Sequence, residues 1–450
     1  MLTRDEANAL CKRVLKQCDA EGAEAIISSS ETNSTRFSNN VITQNVGLTN
    51  QRLCLRVIQG KRQGVARVNQ FDDASIKRCV QSALAVCRVS AEDDKLEPLL
   101  DKQPEYANVD AFKEATVKST PASRADAIGK VLREFEANKV EGAGIFDADQ
   151  GAMAYSNSKG VFAYKANTKA EFSISAFLEH GEIEGWAEAF GLDISKLDIA
   201  DTAKRAMQKA VTGVHARAIE PGEYTVVLEA PAVAELMLFY SWLGTNGLAF
   251  AENRTFHKGK LGQKLFSDKL TLTEDPYHPE LGGTPFDMEG FPTQKVTLID
   301  KGVVAAVVHD RRSAKLVNAK NTGHANMQPD AQGPSPGNLV LATGDQSLEQ
   351  MIASTKKGLL ITKFHYCNVV DRMDCSLTGM TRSGTFMIED GRLSYPVKNM
   401  RFTQSLLTAF ADVGAVGKEA HATGGALFGG NFVVPAMKLN KFRFSSPTGF

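Results

Sequence analysis

Two kinds of hydrophobic patterning succeed one another along the chain. Near the N-terminus Ala7, Leu10, Cys11, Val14, Leu15 and Cys18 recur at the spacing of one helical face. A short apolar run at Glu24–Ser28 follows and predicts a strand. The same order then repeats. "TRDEANALCKRVLKQCDAEGAEAII" from Thr3 is answered by "SRADAIGKVLREFEANKVEGAGIF" from Ser123, with Arg4 matching Arg124 and Gly22 matching Gly142. A second strand is expected at Gly144–Asp147. "RFSNN" at 36–40 is answered by "AYSNS" at 154–158, and "QGKRQGVA" at 59–66 by "HGEIEGWA" at 180–187. Gly60 and Gly64 thus match Gly181 and Gly185 in hairpin-like contexts, and helices at Ala74–Val89 and Ile199–Thr212 close the two copies. A Pro-containing link, "EPLLDKQPEYANVD" at 97–110, joins them.

Beyond "AIEPGEY" at 218–224 the pattern becomes strand-rich. "TQKVTLIDKGVVAAVVHD" predicts a hairpin turning at Asp300-Lys301-Gly302, and "GTFMIEDGRLSYPV" another turning at Glu389-Asp390-Gly391. "DQSLEQMIASTKKG" predicts a short helix and "GLLITKFHYCNVVD" a strand. Between them, "NTGHANMQPDAQGPSPGN" at 321–338 is a polar loop of the length that is usually functional or mobile. The expected fold is α+β: residues 1–217 as an internally duplicated N-terminal domain, residues 218–450 as a C-terminal domain rich in antiparallel strands.

The stretch "YTVVLEAPAVAELMLFYSWLG" at 224–244 joins a strand to a helix. Pro231 is placed where a helix starts, and Glu235 is the one charge between Ala232 and Leu243. Such a turn often carries catalytic residues, yet this helix offers no His and no Cys. At about a dozen residues the run is too short to span a membrane and reads as a core helix.

Composition narrows the functional classes. Lys plus Arg and Asp plus Glu are 52 each among 450 residues, so no net field draws the chain to nucleic acid or to an acidic membrane. The seven cysteines form no C-x-x-C pair and no regular framework, which predicts a reducing, cytoplasmic setting. The charged N-terminus does not have the pattern of a signal peptide.

Common catalytic signatures are missing: no P-loop, no Rossmann glycine pattern, no G-x-S-x-G and no H-E-x-x-H. One cluster is a candidate site, comprising His365, Cys367, Asp371, Asp374 and Cys375. On a regular strand residues 365 and 367 face the same side, so His and Cys would share a soft metal such as zinc, or Cys367 or Cys375 would act as a nucleophile with His365 as base. The plainer reading is a buried strand followed by a turn. His324 reads as an exposed loop residue.

The order of segments resembles the TldD/PmbA family. The resemblance is carried by "RFSNNVITQNV", "LRVIQGKRQGVARV", "VTLIDKGVVAAVVHDRRSAKL", "GTFMIEDGRLSYPVKNMRF" and "DVGAVGKEA". It implies a peptidase fold in which TldD-like members bind zinc through H-E-x-x-x-H and a late Cys and cut unfolded or modified peptides. PmbA-like members, also called TldE, lack those ligands and pair with a TldD-like subunit. The pair is implicated in peptide maturation and carries names such as modulator of DNA gyrase. Laid on this pattern, Leu238 and Leu243 take the two His positions, Phe239 the Glu position and Val416 the Cys position. None supplies a donor for zinc or moves a proton. The resemblance therefore implies a member without catalytic residues or cofactor, pairing with a TldD-like subunit, with the strands of the second domain and the 321–338 loop as the expected peptide surface. Two alternatives stand beside it: an enzyme with its chemistry relocated to His365, Cys367, Asp371 and Cys375, and a structural homodimer joined through an apolar face at 232–250.

Overall fold

The computed structural model describes residues 1–101, 106–178, 183–424 and 431–448. The first half contains α1 (Arg4–Leu15), β1 (Gly22–Ser38), β2 (Val41–Gln59), β3 (Arg62–Val68), α2 (Asp73–Val89), α3 (Glu114–Val117), α4 (Pro121–Ala137), β4 (Glu141–Asn157), β5 (Phe162–Leu178), β6 (Ile183–Gly191) and α5 (Ile199–Thr212). Helix α1 starts where Thr3 and Glu6 form a reciprocal capping box, and it buries Ala7, Leu10, Cys11 and Val14. Strands β1 and β2 join through Asn39 and Asn40, both at positive φ, as a tight hairpin requires.

The six strands form one antiparallel sheet in the order β3-β2-β1-β4-β5-β6. Its two halves, meeting at the β1–β4 pair, are the same unit. In one, Gly64 on β3 lies so close to α2 that an added Cβ would sit 2.1 Å from the Ala83 carbonyl oxygen. In the other, Gly185 on β6 stands in the same relation to α5, 2.1 Å from the Ala206 oxygen. Each glycine lets a helix lie directly on an outer strand. Separate apolar clusters form beneath α1 and α2 and beneath α4 and α5. The matching Gly181, with His180 beside it, and the centre of the 97–110 link lie outside the described residues.

The second half contains β7 (Gly222–Leu228), α6 (Ala230–Gly244), α7 (Gly247–Ala251), β8 (Leu272–Glu274), β9 (Val296–Asp300), β10 (Val303–Val304), α8 (Arg311–Val317), β11 (Asn338–Leu341), α9 (Leu348–Ala353), β12 (Lys357–Asp371), β13 (Ser376–Glu389), β14 (Arg392–Pro396), β15 (Met400–Ser405), α10 (Leu406–Ala411), β16 (Val413–Thr423) and β17 (Asn431–Pro447). Five strands close into a ring. β7 pairs with both β12 and β17, while β13 and β15 link β12 back to β17. Both expected hairpins form, with Lys301 and Gly302 at positive φ in one turn and Asp390 and Gly391 in the other.

Helix α6 begins with Pro231 in its first turn, as the sequence predicts. It is apolar all round because it is surrounded: its residues join those of every ring strand in the largest apolar cluster. Of residues 232–250 only Trp242 is exposed, at 42%. The expected apolar dimer face on this segment is therefore absent, its side chains being spent on the chain's own core.

Candidate functional site: a charged cleft between two strand edges

Strand β6 is the last strand of the first sheet. Strand β16 pairs with β17 on both sides of an irregularity between Val416 and Ala420, and among the described residues its other side is met by a single bridge between Gly417 and Gln346. The outer edges of β6 and β16 face an open cavity of about 910 Å³, lined by one side of α5 and by the first turns of α6 and α9. The two bodies touch at its base, where the Thr423 hydroxyl donates to Glu188. Lys209 of α5 meets Glu229, the residue before α6, at 2.6 Å. Arg382 of β13 reaches Glu184 of β6 at 3.2 Å. Lys363 of β12 sits 4.0 Å over the Trp186 ring.

These contacts set the electrostatics. Burial pushes the Glu188 carboxyl up to about 7; its Thr423 hydrogen bond and the cations Lys363 and Lys169 pull it down, and Glu171 adds to the rise. Burial lowers the Lys363 ammonium against the opposing pull of Glu184 and Glu188. The cleft thus combines mixed charge, a carboxyl poised near neutrality and two strand edges, of which β6 already offers its Trp186 and Glu188 carbonyls to Lys209 and Arg205. That suits an extended polypeptide, whose backbone adds to an edge while side chains meet the charged walls. No sequence motif marked these residues. They come from separate segments, and only the topology unites them.

The positions that the resemblance lays on the family's zinc ligands lie elsewhere in the core. Phe239, Leu243 and Val416 are buried in the main cluster, with Leu238 half-buried against it. Val416 pairs with Met437 across β16 and β17. These side chains do not fit a zinc ion, since none carries an N, O or S donor. Among the described residues, no three His, Cys, Asp or Glu side chains converge as a metal site requires.

The alternative cluster does not assemble. His365 faces Met380 and Asn368 faces Thr378, so β12 carries one extra residue between these pairs. Tyr366 takes it up at φ +57. This bulge breaks the two-residue alternation. Phe364 and Cys367 both enter the apolar core, and His365 is left half-buried. Burial, reinforced by a hydrogen bond with Glu235, raises the Cys367 thiol far above its ordinary value. Burial does the same for Cys375. Neither is an activated thiolate. Asp371 is exposed and caps its own turn, accepting from the Met373 N–H at 2.7 Å and the Asp374 N–H at 3.2 Å.

His324 is not exposed but buried, its Nδ1 2.9 Å from the Thr322 hydroxyl and its Nε2 3.6 Å from Glu274. The 321–338 loop is pinned along its length. Asp287 accepts from the Ala325 N–H at 3.0 Å, and Glu274 from Gly337 and Asn338 at 3.0 and 2.7 Å.

Three family models match consecutive parts of the chain: PmbA/TldA metallopeptidase domain 1 at residues 23–87, the central domain at 112–214 and the C-terminal domain at 221–446. The chain is 25% identical to metalloprotease PmbA of Escherichia coli O157:H7, over 93% of this chain and 92% of that protein. It is 24% identical to a metalloprotease TldD homolog of Haemophilus influenzae, over 76% and 74%. Among solved structures, TldE from Thermococcus kodakarensis superimposes with a TM-score of 0.85 at 21% identity, covering 98% of this chain and 99% of that one.

Proposed function

Starting from a chain that belongs to the PmbA/TldD metallopeptidase family, we propose that it is a non-metal-binding, PmbA-like subunit. It acts beside a TldD-like partner that supplies the zinc. The observation that carries this reading is the joint character of Leu238, Phe239, Leu243 and Val416. All four are apolar, and all belong to or pack against one continuous core. A site that had lost a single ligand would leave the other donors behind; here the whole set is replaced by packing. No catalytic step is assigned to this chain. Its part is to shape the space in which the partner works and to hold an extended peptide in the β6–β16 cleft.

The test is co-expression with a TldD-like subunit from the same source. The pair is expected to co-purify and to cleave an unfolded peptide, whereas this chain alone does not. Charge reversal in the cleft, Lys209→Glu, is expected to lower cleavage by the pair while leaving the partner's zinc content unchanged. Cleavage of the peptide by this chain alone would overturn the reading.

A further inference from the structure

Taken as the peptide site proposed above, the β6–β16 cleft has walls that discriminate among side chains. Among the described residues its lining carries seven Asp and Glu against four Lys and Arg. Three of the four cations are already matched. Lys209 meets Glu229 at 2.6 Å, Arg205 meets Asp201 at 2.9 Å and Lys418 meets Glu419 at 4.0 Å. Lys196 remains, exposed on one wall. Of the other acids, Asp198 is engaged as the cap of α5. Glu188 and Glu349 accept from the hydroxyls of Thr423 and Ser347 rather than from a cation, and Glu280 is exposed. These three carboxylates come from three separate walls: β6, α9 and the loop between β8 and β9.

The β6 wall is the most specific of the three. Alternate residues of a strand share a face, so Trp186, Glu188 and Phe190 stand in a row, and all three line the cavity. The two rings already draw cations: Lys363 lies 4.0 Å from the Trp186 centroid and Lys169 5.4 Å from that of Phe190. Lys169 is itself neutralised by Glu171 at 2.9 Å. A carboxylate between two aromatic rings suits a Lys or Arg side chain, with the carboxylate taking the charge and the rings taking the apolar stem. In a peptide strand laid along β6, the residue opposite Glu188 has its Cβ about 5 Å from that of Glu188, and its side chain reaches both rings.

We propose that the cleft selects extended peptides carrying a basic residue, whose side chain enters between Trp186 and Phe190 and pairs with Glu188. Glu280 and Glu349 extend the selection beyond that one position. A Lys or Arg elsewhere on the peptide meets a carboxylate on either of the other walls, whereas an acidic residue meets like charge on three walls and finds Lys196 on one.

The experiment is fluorescence anisotropy of the full chain with labelled, unstructured Gly/Ser peptides of equal length that carry lysines, glutamates or no charge. At low salt the lysine peptide is expected to bind about tenfold more tightly than the glutamate peptide, because several partly solvated charges act together. The gap is expected to narrow several-fold near 1 M salt, where the screening length falls to about 3 Å. The triple variant Glu188→Gln/Glu280→Gln/Glu349→Gln, with circular dichroism unchanged, is expected to bring the two peptides within a factor of about two. Glu188→Gln alone is expected to remove the larger part of the difference. Binding of all three peptides with equal affinity, or tighter binding of the glutamate peptide, would overturn the charge selection and leave the cleft as a peptide site. A lysine preference that survives the triple variant would place the selection outside these carboxylates and overturn it too. Binding of none of the three would overturn the peptide reading of the cleft itself, and the selection with it.

Discussion

Glu188 offers a sharp test of the cleft's electrostatics. Its carboxyl is raised from 4.5 to about 7, chiefly by burial. A carboxyl whose folded value exceeds its unfolded one favours the folded state only while protonated. Stability attributable to Glu188 is therefore greatest below pH 4.5, declines as pH rises toward 7 and levels off above it. Each tenfold change in proton affinity corresponds to about 1.4 kcal/mol, so the full decline is about 3 kcal/mol, reduced to about 2 kcal/mol by solvent at the cleft mouth. Glu188→Gln keeps the acceptor for Thr423 and removes the charge. Urea unfolding of parent and variant at pH 4.5 and pH 8 gives a double difference from which other titrating groups, such as Asp287, cancel. The variant is expected to be nearly neutral at pH 4.5 and more stable than the parent by about 2 kcal/mol at pH 8. An equal difference at the two pH values would mean that Glu188 titrates as an ordinary solvated carboxyl, and the desolvation of the cleft would be refuted.

Other outcomes follow from the same structure. Gly64→Ala and Gly185→Ala each force a Cβ against helix backbone and are expected to cost about 1–3 kcal/mol or more in urea unfolding, with similar magnitudes because the two sites are copies. Of the seven cysteines Cys18 alone is not buried, so thiol titration of the native protein at pH 8 is expected to label Cys18 first and Cys367 only on unfolding. His257 is buried, bonded to the Tyr240 hydroxyl at 2.9 Å, and held neutral down to about 3 by desolvation. A depressed folded value means stability present above pH 6.5 and lost as pH falls toward 3. Acid unfolding of His257→Gln is expected to be shallower across that window.

Much of this architecture is legible where side-chain periodicity and turn chemistry act locally. Helix α5 spans the expected residues because its apolar stripe and the Asp198 cap coincide, and the Lys301-Gly302 and Asp390-Gly391 turns declare themselves through their need for positive φ. The correspondence of Gly64 and Gly185 points to the duplication, and the helix contacts explain why both are glycine. Strand lengths are not legible. β1 and β4 run for 17 residues each, yet the middle of β1, "SSETNSTR", is polar and carries no strand-like apolar alternation. Nor is the bulge at Tyr366, which separates His365 from Cys367 and depends on pairing with β13. His324 reads as exposed because its loop is polar; it is buried because Glu274 and Asp287, distant in sequence, supply the acceptors that pin the loop. The cleft has no local signal at all, since its residues belong to several separate elements.

The central claim, that this is a subunit without a zinc site of its own, is tested most directly by metal content. The purified chain and a zinc-soaked, dialysed sample would be measured by mass spectrometry. Less than about a tenth of an equivalent is expected in both. Close to one equivalent surviving dialysis would contradict the claim, because Leu238, Phe239, Leu243 and Val416 offer zinc nothing to bind.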